Sequence, residues 1–412
     1  MPHEVTPDPT TLSVANSSPT NDDDAAHLVR LTTLRGAIDI AGLSPSETTL
    51  IFEAWSRCTP RLISAAEANS EPASDTLARN DNEDWNVFHE RVVYRATAAA
   101  IASGQGSLLM FHGAALKDPE SPKTFVLVAE SGGGKTTATR TLGRSFEYLT
   151  DETVGIDADY SVFQFPKPLS ILEGDLVRPK IQHGPDELEL LAPSGPAHLS
   201  LVCLLHRDKD GQVAAPFAEH VNIVEAISLI APQTSSLSRM DRGLVRLCQA
   251  IDRTGGVRRL HYSEASDLTR LMADLLHARP HATAVTAGLN GTRPEGHATS
   301  GAARERWVPA ENLRPLDTPE ARPVGLEYMR LNVDDAVYFD DGTLCVLMGE
   351  KFTMLNGVGP LVWELLESPM TLEDIVEEAR DIENSPADVD RILSDALESL
   401  LANGIITRGD RY

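Results

Sequence analysis

Cysteine is scarce in this 412-residue chain. The four present, Cys58, Cys203, Cys248 and Cys345, lie far apart and form no Cys-x-x-Cys pair or Cys/His cluster. That excludes a disulfide framework and a zinc knuckle. Long apolar runs are missing as well: none approaches the ~18 residues that a membrane span needs. The first 25 residues, rich in Pro, Ser, Thr and Asn and carrying the run Asp22-Asp23-Asp24, lack the basic start and apolar core of a signal peptide. They read as a disordered tail, and the cytoplasm is the expected compartment. Basic side chains are in deficit, with 36 Lys and Arg against 61 Asp and Glu and a formal net charge of −25. Neither nucleic acid nor an anionic membrane is expected to bind such a chain.

What is present suffices for real cores, since 42% of the residues are hydrophobic and the length suits two domains with linkers. The most informative segment is Ala129-Glu130-Ser131-Gly132-Gly133-Gly134-Lys135-Thr136-Thr137. An apolar run, Phe125 to Ala129, precedes it and a helix-like stretch, Thr137 to Leu142, follows. This is the strand-loop-helix setting of a nucleoside triphosphate site. Successive glycines let backbone N–H groups turn inward around phosphates, and the new helix adds its positive end. Lys135 reaches the β- and γ-phosphates, and the Thr136 hydroxyl can ligate Mg²⁺. Ser131, Gly132, Gly133, Gly134, Lys135, Thr136 and Thr137 are therefore the expected nucleotide-binding residues, with ATP and Mg²⁺ as cofactors. Ala129 stands where the usual pattern has its first glycine.

Upstream stands Phe111-His112-Gly113-Ala114-Ala115-Leu116. Downstream come Tyr148-Leu149-Thr150-Asp151-Glu152-Thr153-Val154 and then Phe165-Pro166-Lys167-Pro168-Leu169-Ser170. His112 lies 23 positions before Lys135, and Asp151 lies 16 after it. On these motifs, residues 30 to 277 resemble the HPr serine kinase family and its relatives in peptide-modification gene clusters. The resemblance implies an α/β nucleotide-binding fold in which Asp151 is the catalytic acid/base or a Mg²⁺-linked carboxylate, Glu152 its partner, and His112 a proton-handling group. The family's second acid is a glutamate here, and its downstream glycine-rich signature is missing, so HPr itself is not the expected substrate.

The remaining organisation follows from periodicity. Residues 48–55 and 92–101 read as helices separated by a polar loop, Ala68 to Asp84; Leu199 to Leu205 and Val257 to Tyr262 read as strands. A helix from about Ser266 to His277 closes a domain spanning 26–277. Residues 278–325, with prolines at 280, 294, 309, 315, 319 and 323, read as a flexible linker that lets two domains move independently.

In 326–412 three short strands end at Phe339, Met348 and Asn356, the first two joined by an Asp-Gly turn. Three helices follow: Val358 to Leu366, Leu372 to Arg380 and Asp388 to Ala402. This order, with Leu355-Asn356-Gly357-Val358-Gly359 entering a Trp363 helix, resembles the PqqD-like recognition element of ribosomally made, post-translationally modified peptides (RiPPs). The resemblance implies a small α+β winged-helix domain that binds a precursor's leader peptide as an added strand. Lys351, Phe352, Thr353, Met354 and Leu355 would form the receiving edge, and Val389, Ile392 and Leu393 would line or support the groove. From Glu327 to Tyr412 there are 19 acidic and 6 basic residues, which disfavours DNA.

Two functions follow as expectations. The chain is an ATP-dependent kinase acting on Ser or Thr of a recruited precursor peptide, or it is a non-catalytic adaptor that delivers the precursor to separate peptide-tailoring enzymes.

Overall fold

The computed structural model describes residues 27–130, 132–172, 178–278, 307–314, 325–380 and 388–409. The expected N-terminal tail, Ser131 and most of the expected linker lie outside these residues.

The chain begins with β1 (His27–Thr32), β2 (Ala37–Ala41), α1 (Pro45–Ala54), β3 (Arg61–Ser64), α2 (Ala65–Ser70), β4 (Asp75–Ala78) and the long α3 (Trp85–Gly104). The four strands make their own sheet in the order β3-β1-β2-β4. It packs on α3 through Leu31, Ile38, Ile40, Phe88 and Val92, with Trp55 at the centre of the same core. The stretch from Ala68 to Asp84, read above as a loop, thus holds the end of α2 and all of β4. Only Leu77 of β4 is buried, so no apolar pattern marks it in the sequence.

Next come β5 (Leu109–Lys117), β6 (Lys123–Val128), α4 (Lys135–Leu142), β7 (Glu147–Thr150), β8 (Thr153–Ile156), β9 (Leu169–Ile171), β10 (Ile181–His183), β11 (His198–Arg207), β12 (Phe217–Val221), α5 (Ile223–Ile230), β13 (Thr234–Ser235), α6 (Gly243–Arg253), β14 (Val257–Tyr262) and α7 (Leu268–His277). The main sheet runs β12-β14-β11-β6-β5-β13, and β7 and β8 both pair with β5. At its centre β6, β11 and β14 are parallel. Phe125 to Val128 are fully buried, as a strand covered on both faces must be. The mixed α/β character expected of this region is what the structure has.

The C-terminal unit contains β15 (Trp307–Pro309), β16 (Tyr328–Arg330), β17 (Asp335–Phe339), β18 (Leu344–Met348), β19 (Lys351–Leu355), α8 (Gly359–Leu365), α9 (Leu372–Arg380), α10 (Val389–Ala402) and β20 (Ile406–Arg408). Its sheet is ordered β15-β17-β18-β19, and β16 pairs with β20. Residues 307–309, read above as part of a flexible linker, are therefore the edge strand beside β17. One face of the sheet, with Ala336, Leu344, Val346 and Leu355, packs on α8, α9 and α10 through Trp363, Ile375 and Leu393.

The other face is largely covered as well. Val337, Phe339, Cys345 and Leu347 share one core with Leu244, Leu247, Cys248 and Ile251 of α6. Four polar contacts seal the joint. Asp335 Oδ2 accepts from the Val245 backbone N–H at 3.0 Å, and Asp335 Oδ1 lies 2.9 Å from Arg242 Nε. Arg242 also donates to the Ala310 carbonyl, and the Trp307 indole donates to Asp252 at 2.9 Å. Helix α6 has no side-chain cap of its own, because Arg242 occupies the cap position in a left-handed conformation with φ 56. Asp335 caps it across the joint. In this structure the two units are docked, contrary to the expectation of independent motion.

Asp335→Ala removes that cap and leaves Arg242 without its carboxylate. It should lower the stability of the full chain by about 2–3 kcal/mol and make residues 307–314 more open to protease. Guanidinium denaturation and timed proteolysis read both; an unchanged midpoint would show that the cap does not hold the joint.

Candidate functional site

Strand β6 delivers the glycine loop to the start of α4. Gly132 and Gly134 have φ of 78 and 85, which L side chains rarely adopt. A Cβ on Gly133 would sit 3.0 Å from the Glu130 carbonyl oxygen, so glycine is the residue that fits there. The loop is tied by the Gly133 N–H to the Glu130 carbonyl at 2.9 Å. The first turn of α4 lacks any side-chain cap, which leaves its N–H groups open. Thr136 is half-buried and Thr137 exposed; they line, with Arg140, Thr141, Arg144 and Ile171, a depression along α4. The Lys135 ammonium is buried and has no hydrogen-bond partner. Burial pulls its pKa down against the opposing pull of Glu152 and Asp151.

The acidic pair reaches the same place through strand register. Thr150 of β7 pairs with Ala115, and Thr153 of β8 pairs with His112. Asp151 and Glu152 therefore form the link between two strands on one edge of β5, with His112 alongside. Glu152 Oε1 is 3.8 Å from His112 Nδ1, too long for a hydrogen bond. Burial, then Lys135, lowers the His112 pKa below 6.5, so its imidazole is mainly neutral at pH 7.

A residue to which the sequence reading gave no role completes the cluster. Lys167 is fully buried, and its ammonium sits 2.8 Å from Asp151 Oδ1 and 3.5 Å from Glu152 Oε2. It also donates to the Pro168 carbonyl at 3.1 Å. Asp151 Oδ1 is shared with the Tyr148 hydroxyl at 3.3 Å, and Asp151 is 3% exposed. Burial pushes the Glu152 pKa up, but Lys167, Lys135 and His112 outweigh it and hold the group below its ordinary 4.5. Lys167 in turn is raised, because the two carboxylates overcome its desolvation. Of the pair, Glu152 is the accessible acid, with its side chain 32% exposed. A lysine 16 positions beyond Asp151, in a Pro-Lys-Pro turn, gives no sequence signal of this pairing.

Whether ATP and Mg²⁺ suit these residues can be judged from the donors. An unpartnered buried ammonium, open helix N–H groups and a glycine backbone call for an acceptor-rich anion, and the Thr136 hydroxyl and the acidic pair are hard oxygen ligands of the kind Mg²⁺ takes. The residues fit the group. Among the described residues no cluster of three or more His, Cys, Asp or Glu could hold a metal by itself, so Mg²⁺ would depend on phosphate oxygens for much of its shell.

In the C-terminal unit the expected receiving edge is β19, which among the described residues pairs only with β18. Lys351 is exposed, Phe352, Thr353 and Met354 are half-buried, and Leu355 is buried. Phe352 and Met354 pack toward the core shared with the larger unit. Val389 and Leu393 belong to the unit's own core, whereas Ile392 remains half-buried on α10. Beside β19 lies the turn Ala231–Gln233, which leads into β13, and Thr234 of β13 pairs with Phe111, the neighbour of His112. One short segment thus links β19 to the strand of His112.

The chain joins a small α+β unit, whose last strand β19 has one strand partner among the described residues, to a larger α/β unit with a glycine loop. Residues 337–406 match the family model of coenzyme PQQ synthesis protein D (PqqD), a span that runs from within β17 to the first residue of β20. Among solved structures, the HPr(Ser) kinase/phosphatase from Coxiella burnetii is similar at 11% identity, over 40% of this chain and 92% of that one, with a TM-score of 0.21. A likeness at that score says nothing of chemistry, and the glycine loop stands on its own geometry. No curated protein matches the chain. Among the described residues no helix is long and apolar enough to cross a membrane.

Lys167→Met should strand Asp151 as a buried unpaired carboxylate and cost about 3–5 kcal/mol at pH 7. In the wild type Glu152 is depressed below 4.5, so its contribution is present above that value and is lost as pH falls through the depressed pKa. Denaturant titrations of both proteins at pH 7 test the cost of the substitution, and a variant as stable as the wild type would refute it.

Proposed function

We propose that this chain serves RiPP biosynthesis in the cytoplasm: its C-terminal unit, a winged-helix recognition element, holds the leader of a precursor peptide, and its larger, HPr kinase-like unit binds ATP·Mg²⁺. The observation that carries the reading is the PqqD match on a unit whose outermost strand, β19, has no second strand partner among the described residues. An extended leader would pair its backbone with Lys351 to Leu355, and side chains around Ile392 would choose among sequences.

In the larger unit, Ser131 to Thr137 would cradle the phosphates, Lys135 would neutralise them, and Thr136 with Asp151 would hold Mg²⁺. ATP supplies a transferable phosphoryl group when bound. Glu152 would accept the proton of a precursor Ser or Thr hydroxyl, with neutral His112 beside it to relay the proton onward. Lys167, itself anchored by Asp151, would keep Glu152 in place and ionised. The link from β19 through Ala231–Gln233 to β5 supports a precursor that is recruited close to these groups.

One observation favours the adaptor reading instead. Asp151 is buried, and its Oδ1 is taken up by Lys167 and Tyr148, so it is poorly free to act as a base. A nucleotide-bound scaffold that passes the precursor to other tailoring enzymes is compatible with that.

Lys135→Met should weaken ATP·Mg²⁺ binding by about ten- to a hundredfold, the loss of one charge-assisted contact. Calorimetry checks it, and equal affinity in both proteins would remove the phosphate-binding role of the loop. If the chain is a kinase, label from [γ-³²P]ATP appears in the precursor with the wild type and fades with Glu152→Gln. Absence of label, together with precursor maturation that still requires the chain, would select the adaptor.

A further inference from the structure

The glycine loop is flanked by a second buried polar group that lacks a partner. Tyr262, the last residue of β14, is 1% exposed, and its hydroxyl has no hydrogen-bond partner. A Cβ placed on Gly134 would lie 3.3 Å from that hydroxyl and 3.8 Å from Arg207 Cδ. The topology explains the meeting. Strands β6, β11 and β14 are parallel, Val128 pairs with Leu204, and Arg207 pairs with Tyr262. The carboxyl ends of three adjacent strands therefore open on one place, and the loop leaves from the first of them. In open parallel sheets this is where ligands bind.

Buried hydroxyls without partners are rare and unfavourable. Here Tyr262 shares its neighbourhood with the orphan Lys135 ammonium and the uncapped first turn of α4. All three are donors. Only a ligand rich in acceptor oxygens satisfies them together, and any side chain at position 134 would intrude on the space between loop and phenol. We propose that the Tyr262 hydroxyl donates a hydrogen bond to a phosphate oxygen of the bound nucleoside triphosphate, and so closes the anion site from the strand side opposite Lys135. The inference rests on the reading of the loop as a phosphate site. Burial, against the weaker opposing pull of Arg207, raises the phenol's pKa, which keeps its proton available for donation at neutral pH.

Tyr262→Phe deletes one oxygen and leaves the ring in its core. The test uses the full chain, with ATP·Mg²⁺ and inorganic tripolyphosphate as separate probes in calorimetry, and thermal melts without ligand. The wild type should bind both probes, Tyr262→Phe should bind each about tenfold more weakly, and its melting temperature without ligand should equal or exceed that of the wild type. Equal affinity in both proteins overturns the role of Tyr262 while the loop remains a phosphate site. A clear loss of stability without ligand also overturns it, because the hydroxyl then serves the fold. Tripolyphosphate bound in a Tyr262-dependent way without ATP binding keeps the phosphate contact and removes the nucleotide; failure of the wild type to bind either probe ends both readings.

Discussion

A carboxylate from one unit terminates a helix of the other. Asp335 accepts the Val245 N–H and faces Arg242, and around it Val337, Phe339, Cys345 and Leu347 leave solvent against α6. The sheet of the C-terminal unit is apolar on both faces, so it needs a cover on each. Its own helices supply one, and the larger unit supplies the other. Strand β19 is thereby held in a fixed place relative to β13 and β5, the strand of His112. A peptide captured on a freely swinging module would reach a reaction centre only by chance encounter; one captured on a docked module arrives at a defined distance.

The charge cluster is the second constraint. Three charged groups, Lys167, Asp151 and Glu152, are gathered where water is largely excluded, and such a group is tolerable only when its members satisfy one another. Lys167 meets both carboxylates and a carbonyl. Lys135, a few residues into the loop, has no such partner. The contrast separates a lysine that serves the fold from one left available for a ligand.

How much of this was legible depended on range. The glycine loop is a local motif, and its strand-loop-helix setting could be read from eighteen consecutive residues, Phe125 to Leu142. The strands and helices of the C-terminal unit were equally local, and the expected segments at 344–348, 372–380 and 388–402 lie within a residue of those observed. Short strands such as β15, β16 and β20 were not legible, since three residues carry no period. Nor was the docking: β17 and β18 read simply as apolar runs, and nothing local tells which of two faces meets a helix 90 positions away. Asp335 looked like one more acid in an acidic segment. Lys167 and Tyr262 were missed for the same reason, because each becomes informative only when the chain brings it to Asp151 or to Gly134.

Hydrogen exchange on the full chain, alone and with leader peptide, tests the account most directly. A docked chain with an open recognition edge predicts that the Val245 amide is already protected in the free protein, and that leader peptide slows exchange along Lys351 to Leu355. Rapid exchange at Val245 in the free chain, with leader peptide leaving β19 unchanged, would contradict it.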